Sequence, residues 1–173
     1  QEIINIFFEQ YNNSIDDIDD ILNIYIGYDI LFNNPEELFK IGMIGYTHKK
    51  IDKCIHFFNL ASNQNFSEAQ YCLGVIYNEG KYVKQDINKA IKYYSLAADQ
   101  NHLNAMFNLG VIFLEGEYIT RNITKTIHYF TLAANKNHSQ AQYCLGVIYN
   151  EGKYVKRDIS KSIYYYSLAA KQN

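Results

Sequence analysis

The sequence predicts an all-α fold, a helical solenoid of stacked helix pairs, and three observations predict it. Residues 69–84 read AQYCLGVIYNEGKYVK, and residues 141–156 repeat them letter for letter. Residues 105–120, AMFNLGVIFLEGEYIT, follow the same frame midway, so that Leu73-Gly74, Leu109-Gly110 and Leu145-Gly146 recur at a spacing of 36. Each unit holds two stretches with helical apolar spacing. One helix pair cannot bury both of its faces, whereas stacked pairs can.

The elements follow in chain order. Residues 1–34 carry two apolar helical patterns, Ile3, Ile4, Phe7, Phe8, Tyr11 and then Ile15, Ile18, Ile21, Leu22, Tyr25. They read as an N-terminal capping region or a diverged repeat. The DDIDD run at 16–20 opens the second of these, where negative charge suits the helix dipole. A stronger start follows, with Asn34 as cap, Pro35 at the first helical position and Glu37 closing a capping box. Ile51, Lys53, Cys54, Ile55, Phe58, Leu60 and Ala61 then match Ile87, Lys89, Ala90, Ile91, Tyr94, Leu96 and Ala97 one period on. Gly42 lies twelve residues before Cys54 but Gly74 lies sixteen before Ala90, so this first repeat lacks four loop residues.

In the full repeats, Ala69, Cys72, Leu73, Ile76 and Tyr77 form one helical face. Ser67 with Gln70, and Ser139 with Gln142, read as capping boxes; the third repeat has Leu103 there instead. Gly80, Gly116 and Gly152 end this helix in a left-handed conformation. Asp86, Asn122 and Asp158 cap the second helix, whose stripe is Ile87, Ala90, Ile91, Tyr94 and Ala97. Small Gly74, Ala90 and Ala97 allow close approach, with Tyr77 and Tyr94 filling the space beside them.

Composition bounds the function. The chain has 173 residues, 48% hydrophobic and 20% charged, enough for one ordinary core. No apolar run approaches the roughly 18 to 20 residues of a membrane helix. Net charge is −2, which gives no case for nucleic acid. The charge is uneven, −8 over residues 1–48 and +6 over 49–173, which fits either two solvated faces or end-to-end attraction between copies or with a charged partner. Cys54, Cys72 and Cys144 show no metal spacing and read as small buried hydrophobes of a reducing compartment. Cys54 and His56 point to different helix faces, and His102 and His138 stand at inter-helix turns, where they cap or pack. No phosphate loop, dinucleotide fingerprint or metal motif is present, so neither an active site nor a cofactor or metal site is expected.

The string AQYCLGVIYNEGKYVKQDINKAIKYYSLAADQNH at 69–102 resembles the SEL-one-like repeat, a relative of the tetratricopeptide repeat. The matching positions are Ala69, Leu73, Gly74, Tyr77, Gly80, Val83, Asp86, Lys89-Ala90, Tyr93-Tyr94 and Ala97-Ala98. The third repeat departs with Phe113, Asn122 and Thr126, and the fourth with Ser162. Tyr82, Tyr118 and Tyr154 stand where family loops often have glycine. The resemblance covers residues 35–173, in repeats of about 35–66, 67–102, 103–138 and 139–173.

The resemblance implies a right-handed α-α superhelix, a solenoid of antiparallel helix pairs whose first helices line a concave face. It implies an adaptor or scaffold that takes a protein or peptide partner, and not an enzyme, with a regulatory region of a larger signalling enzyme such as a kinase as the alternative. The lining positions, counted from the motif leucine, are Glu68, Tyr71, Val75, Asn78 and Glu79, then Asn104, Phe107, Val111, Leu114 and Glu115, then Gln140, Tyr143, Val147, Asn150 and Glu151. Tyr71, Phe107 and Tyr143 are either groove aromatics or extra core between units. Glu79, Glu115 and Glu151 stand near helix C-termini, where a carboxylate is unfavourable. They are either solvated or offset by a basic partner. The outer face of the last helix, with Ile163, Tyr166 and Ala170, is uncovered; further repeats, another domain or a second copy would cover it. Sequons occur at Asn12, Asn65, Asn122 and Asn137, but capping accounts for most of them, so a cytoplasmic location is expected, with the endoplasmic-reticulum lumen as the alternative.

Overall fold

The computed structural model of the chain describes residues 18–27 and 34–172. The Ile3–Tyr11 pattern and the Asn12 sequon lie outside the described residues. Among the described residues the fold is all-α, with α1 (Ile18–Gly27), α2 (Pro35–Thr47), α3 (Ile51–Asn63), α4 (Ser67–Glu79), α5 (Ile87–Asp99), α6 (Leu103–Glu115), α7 (Ile123–Ala134), α8 (Ser139–Glu151) and α9 (Ile159–Ala170). The chain divides into two units, residues 1–73 and 74–173, with the boundary inside α4.

In the first unit, Asn34 caps α2 by accepting the Glu36 N–H at 2.9 Å, and Pro35 needs no hydrogen bond at its position. Residues 48–50 join α2 to α3, whereas 80–86 join α4 to α5, so the shortening read from the sequence falls in this link. Leu38, Ile41, Cys54, Phe57, Phe58 and Ala61 are buried between the helices. A Cβ at Gly42 would sit 2.5 Å from the Phe58 ring, so glycine sets this close crossing. The acidic run has a partner besides the helix dipole. Asp19 accepts hydrogen bonds from the ammonium groups of Lys50 and Lys53, tying α1 to the start of α3. Those bonds hold its carboxyl below the usual carboxylate range.

The second unit repeats one joint three times. Gly74 meets Tyr94, Gly110 meets Phe130, and Gly146 meets Tyr166, ring against backbone. The stacked pairs bury Ala90, Tyr94, Ala97, Ala105, Leu109, Phe130, Ala133, Ala141 and Leu145. Tyr94 fills the space beside Gly74 as expected, but Tyr77 does not. It lies half-buried and stacks on Tyr93 at 5.9 Å between centroids. Asp86, Asn122 and Asp158 cap their helices through the N–H of Lys89, Lys125 and Lys161 at 2.9, 3.0 and 3.0 Å. Thr126 and Ser162, which replace the repeat's alanine, are buried with their hydroxyls satisfied by Asn122 O at 3.2 Å and Gly146 O at 2.9 Å.

The turns between repeats correct one expectation. Asn65, Asn101 and Asn137 have φ of 62°, 68° and 64°, a left-handed conformation that asparagine tolerates better than most side chains. Behind each, an N–H bonds back to Ala61, Ala97 or Ala133, closing the preceding helix. The chain therefore enters the next helix one residue earlier than the serine boxes imply. His138, not Ser139, caps α8, its Nδ1 accepting the Ala141 N–H at 3.2 Å. His102 does the same for Ala105 at 3.3 Å. Ser67 and Ser139 are the first helical residues of α4 and α8. Gln70 and Gln142 are buried and bond back to Ser62 O and Ala134 O.

Candidate functional site

All the residues expected to line a partner surface lie on α4, α6 and α8, and none of them is buried. Helix geometry fixes this. Ala105, Leu109 and Ile112 turn inward on α6, so Asn104, Val111, Leu114 and Glu115 turn away. In the second unit the structure brings some of them together. Phe107, Gln140 and Tyr143 line one pocket of about 480 Å3 with Ser139, Cys144, Tyr166, Ala169 and Ala170. Asn78 and Glu115 line a second cleft of about 180 Å3 with Gln85, Ile87, Ile112, Glu117, Tyr118 and Ile119. Glu79, Asn150 and Glu151 are exposed, and Val75, Val111, Leu114 and Val147 are half-buried. Glu68, exposed, and Tyr71, half-buried, belong to the first unit.

The aromatic positions differ from one another. Phe107, half-buried, stacks on Phe130 of α7 at 5.5 Å and on the ring of His138, the cap of α8, at 4.9 Å, so its ring packs against its own repeat. Tyr143 is 58% exposed. His138 thus both caps and packs, and its Nε2 lies 3.2 Å from Asn104 Oδ1. Burial holds its pKa below the ordinary histidine value.

Two recurring devices were not read from the sequence. Lys89 lies over Tyr77, Lys125 over Phe113 and Lys161 over Tyr149, at 4.8, 4.7 and 4.9 Å. Beneath them Tyr77, Phe113 and Tyr149 stack on Tyr93, Tyr129 and Tyr165 at 5.9, 5.9 and 6.0 Å. The second device closes the first helix of each repeat. Gln85, Arg121 and Arg157 reach back to the carbonyls of Asn78, Leu114 and Asn150 at 2.7, 2.6 and 2.9 Å. Both devices recur at the 36-residue period, which was the available signal.

The thiols are free, but only Cys54 is buried; Cys72 and Cys144 are half-buried, contrary to the expectation for all three. Burial pushes the Cys54 thiol up to about 12 and the Cys72 thiol to about 11, the opposite of an activated nucleophile. Among the described residues no group of His, Cys, Asp or Glu is placed to hold a metal, and no helix is long and apolar enough to cross a membrane.

Helix pairs repeated every 36 residues, each locked by a glycine under an aromatic ring, define a helical-repeat protein. The sequence profile of the Sel1 repeat matches residues 42–66, 67–102, 103–138 and 139–173, and the chain belongs to that family. Sel1 repeats generally mediate protein–protein interaction, and the family is generally non-enzymatic. Among solved structures, the chain is similar to a protective antigen of uropathogenic Escherichia coli displaying an SLR fold, at 27% identity and a TM-score of 0.78, covering 89% of this chain and 33% of that one. It is also similar to a Sel1 repeat protein from Oxalobacter formigenes, at 28% identity and a TM-score of 0.72, covering 88% of this chain and 63% of that one. Helicobacter pylori cysteine rich protein B shares the fold at 22% identity and a TM-score of 0.52, covering 73% of this chain and 96% of that one. The chain thus spans a third and under two thirds of the first two relatives. No curated protein matches it with significance.

Proposed function

We propose that the chain is an interaction scaffold that takes a protein or peptide partner along the outward faces of α6 and α8 in the second unit. One observation carries this reading. Phe107, Gln140 and Tyr143, picked from repeat position alone, line a common pocket large enough for a peptide side chain, with Tyr143 exposed beside it. Exposed aromatic rings set among polar groups are what binding surfaces use as anchors. The test is capture of partners from the source cell with the folded wild type and with Tyr143→Ala, Gln140→Ala and Val147→Asp combined. If the folded triple variant captures the same partners equally well, the surface is the wrong one.

A second surface belongs to the same reading. Ile159, Ile163 and Tyr164 on α9 are exposed and apolar, and Ala170 is exposed with them. Tyr166, expected beside them, instead turns half inward against Gly146. On α7 the equivalent Ala134 is buried, because α8 covers it. Self-association through the α9 face would restore that burial. Sedimentation at high concentration tests it, and a strict monomer rejects it.

A further inference from the structure

We infer that the cleft beside Tyr118 receives an arginine side chain from a partner protein. The inference rests on the reading of these helices as a partner surface, and it names the partner's chemistry at one point of that surface.

Tyr82, Tyr118 and Tyr154 are repeat equivalents in the loops that follow the first helices. Tyr154 is covered by cations. The guanidinium carbon of Arg121 lies 5.1 Å from its ring centroid, and the ammonium of Lys153 lies 5.1 Å away. Tyr82 carries Lys81 at 5.0 Å. Among the described residues no cation lies over Tyr118, which is 58% exposed. Two sequence differences cause this. The residue before the tyrosine is Lys81, Glu117 or Lys153, so the third repeat alone puts an acid there. The residue reaching forward from the previous repeat is Arg121 for Tyr154, but Gln85 for Tyr118. Both make the same backward bond, Arg121 Nε to Leu114 O at 2.6 Å and Gln85 Nε2 to Asn78 O at 2.7 Å. Only arginine has a further planar cation to lay on the next ring.

The fold therefore contains its own precedent. Between the third and fourth repeats, a guanidinium is held by helix-end carbonyls and lies over a tyrosine. Between the second and third, the same tyrosine position lines an open cleft with Glu115 and Glu117, and neither carboxylate makes an ion pair among the described residues. An aromatic face beside two carboxylates matches a guanidinium, which stacks and bonds in a fork. The cleft, about 180 Å3, is smaller than the roughly 300 to 1,000 Å3 of a small-molecule site and suits a single side chain.

The experiment uses the intact chain with labelled tyrosine rings, the Tyr118 signal being assigned with Tyr118→Phe. The probe is an acetylated, amidated Gly-Arg-Gly peptide, and its control carries citrulline, the neutral isostere, for arginine. The arginine peptide should shift the Tyr118 ring signal in a salt-sensitive way, and the citrulline peptide should not. Glu117→Lys and Gln85→Arg should each weaken binding about tenfold, the first by reversing a charge and the second by supplying an internal guanidinium. Equal effects of the two peptides, no effect of either, or undiminished affinity in both variants would overturn the inference. Partner capture that is lost in the Tyr143 triple variant yet unchanged in folded Gln85→Arg would also overturn it, while leaving the scaffold reading intact.

Discussion

Gly74 lies flat against the ring of Tyr94: a Cβ at position 74 would stand 2.5 Å from Tyr94 Cδ1 and 2.6 Å from Cε1. The ring is fully buried and has nowhere to move. The same joint recurs at Gly110 and Gly146, so one glycine per repeat sets how closely two helices cross.

Gly74→Ala should therefore destabilise the chain by about 1–3 kcal/mol through overpacking. Adding Tyr94→Leu should recover part of that loss, because the two residues share one space. Urea unfolding of both single variants and the double variant measures the coupling, and strict additivity would mean that the ring is not what Gly74 accommodates.

The N-caps of the second helices should each matter to a similar degree. Asp86→Ala, Asn122→Ala and Asp158→Ala each remove the side-chain acceptor of one helix N–H and should cost about 0.5–2 kcal/mol. Asp86→Asn keeps the acceptor and should cost much less, which chemical denaturation would read directly.

Stability should fall in mild acid partly through His138. Its folded-state pKa lies below the ordinary 6.5 because burial disfavours the charged ring, so in that range the unfolded chain binds the proton more readily. The contribution is whole above 6.5 and is lost as pH falls through the folded-state value. Protonation also removes the Nδ1 lone pair that caps Ala141. His138→Asn keeps an acceptor and cannot titrate, so the acid limb of its denaturation midpoint against pH should be flatter than that of the wild type.

The thiols of Cys54 and Cys72, raised to about 12 and about 11 by burial, should be nearly inert in the folded chain. At about pH 8 their modification by a disulfide reagent should be at least about a hundredfold slower than in urea, where thiols titrate near 8.5. Rapid labelling of the native protein would indicate that α3 and α4 open readily.

Position on the repeat, rather than residue type, should set the cost of apolar truncation. Leu145 is fully buried and Leu145→Ala should cost about 2–5 kcal/mol. Ile163 is 59% exposed, and Ile163→Ala should stay within about 0.5 kcal/mol. Equal costs in the two variants at working concentration would point to a covered α9 face.

The helices, the caps of the second helix in each full repeat and the glycine ends of the first were legible in the sequence because each depends on local chemistry: Asp86 needs only its own next turn, and Gly116 only its own φ. The spacing of 36 also sufficed to pick the outward positions of α6 and α8, since helical period and a buried Leu109 or Leu145 leave few alternatives. Other features needed the folded chain. The serine boxes failed because a left-handed Asn137 shifts the helix start by one residue, and that backbone angle is not written in the capping pattern. Phe107 and Tyr143 share a repeat position, yet one is packed beneath His138 and the other is exposed, a difference that repeat position alone does not carry. Asp19 with Lys50, and Arg121 with Tyr154, join residues some thirty positions apart, where sequence fixes charge and ring but not distance. By itself, then, the sequence determined the repeating helix pair and its buried stripe, because those follow from contacts within a few turns. Which outward residues are core, which are free and where a cleft remains open was decided only when one repeat was laid against the next, because that packing sums interactions that no single repeat contains.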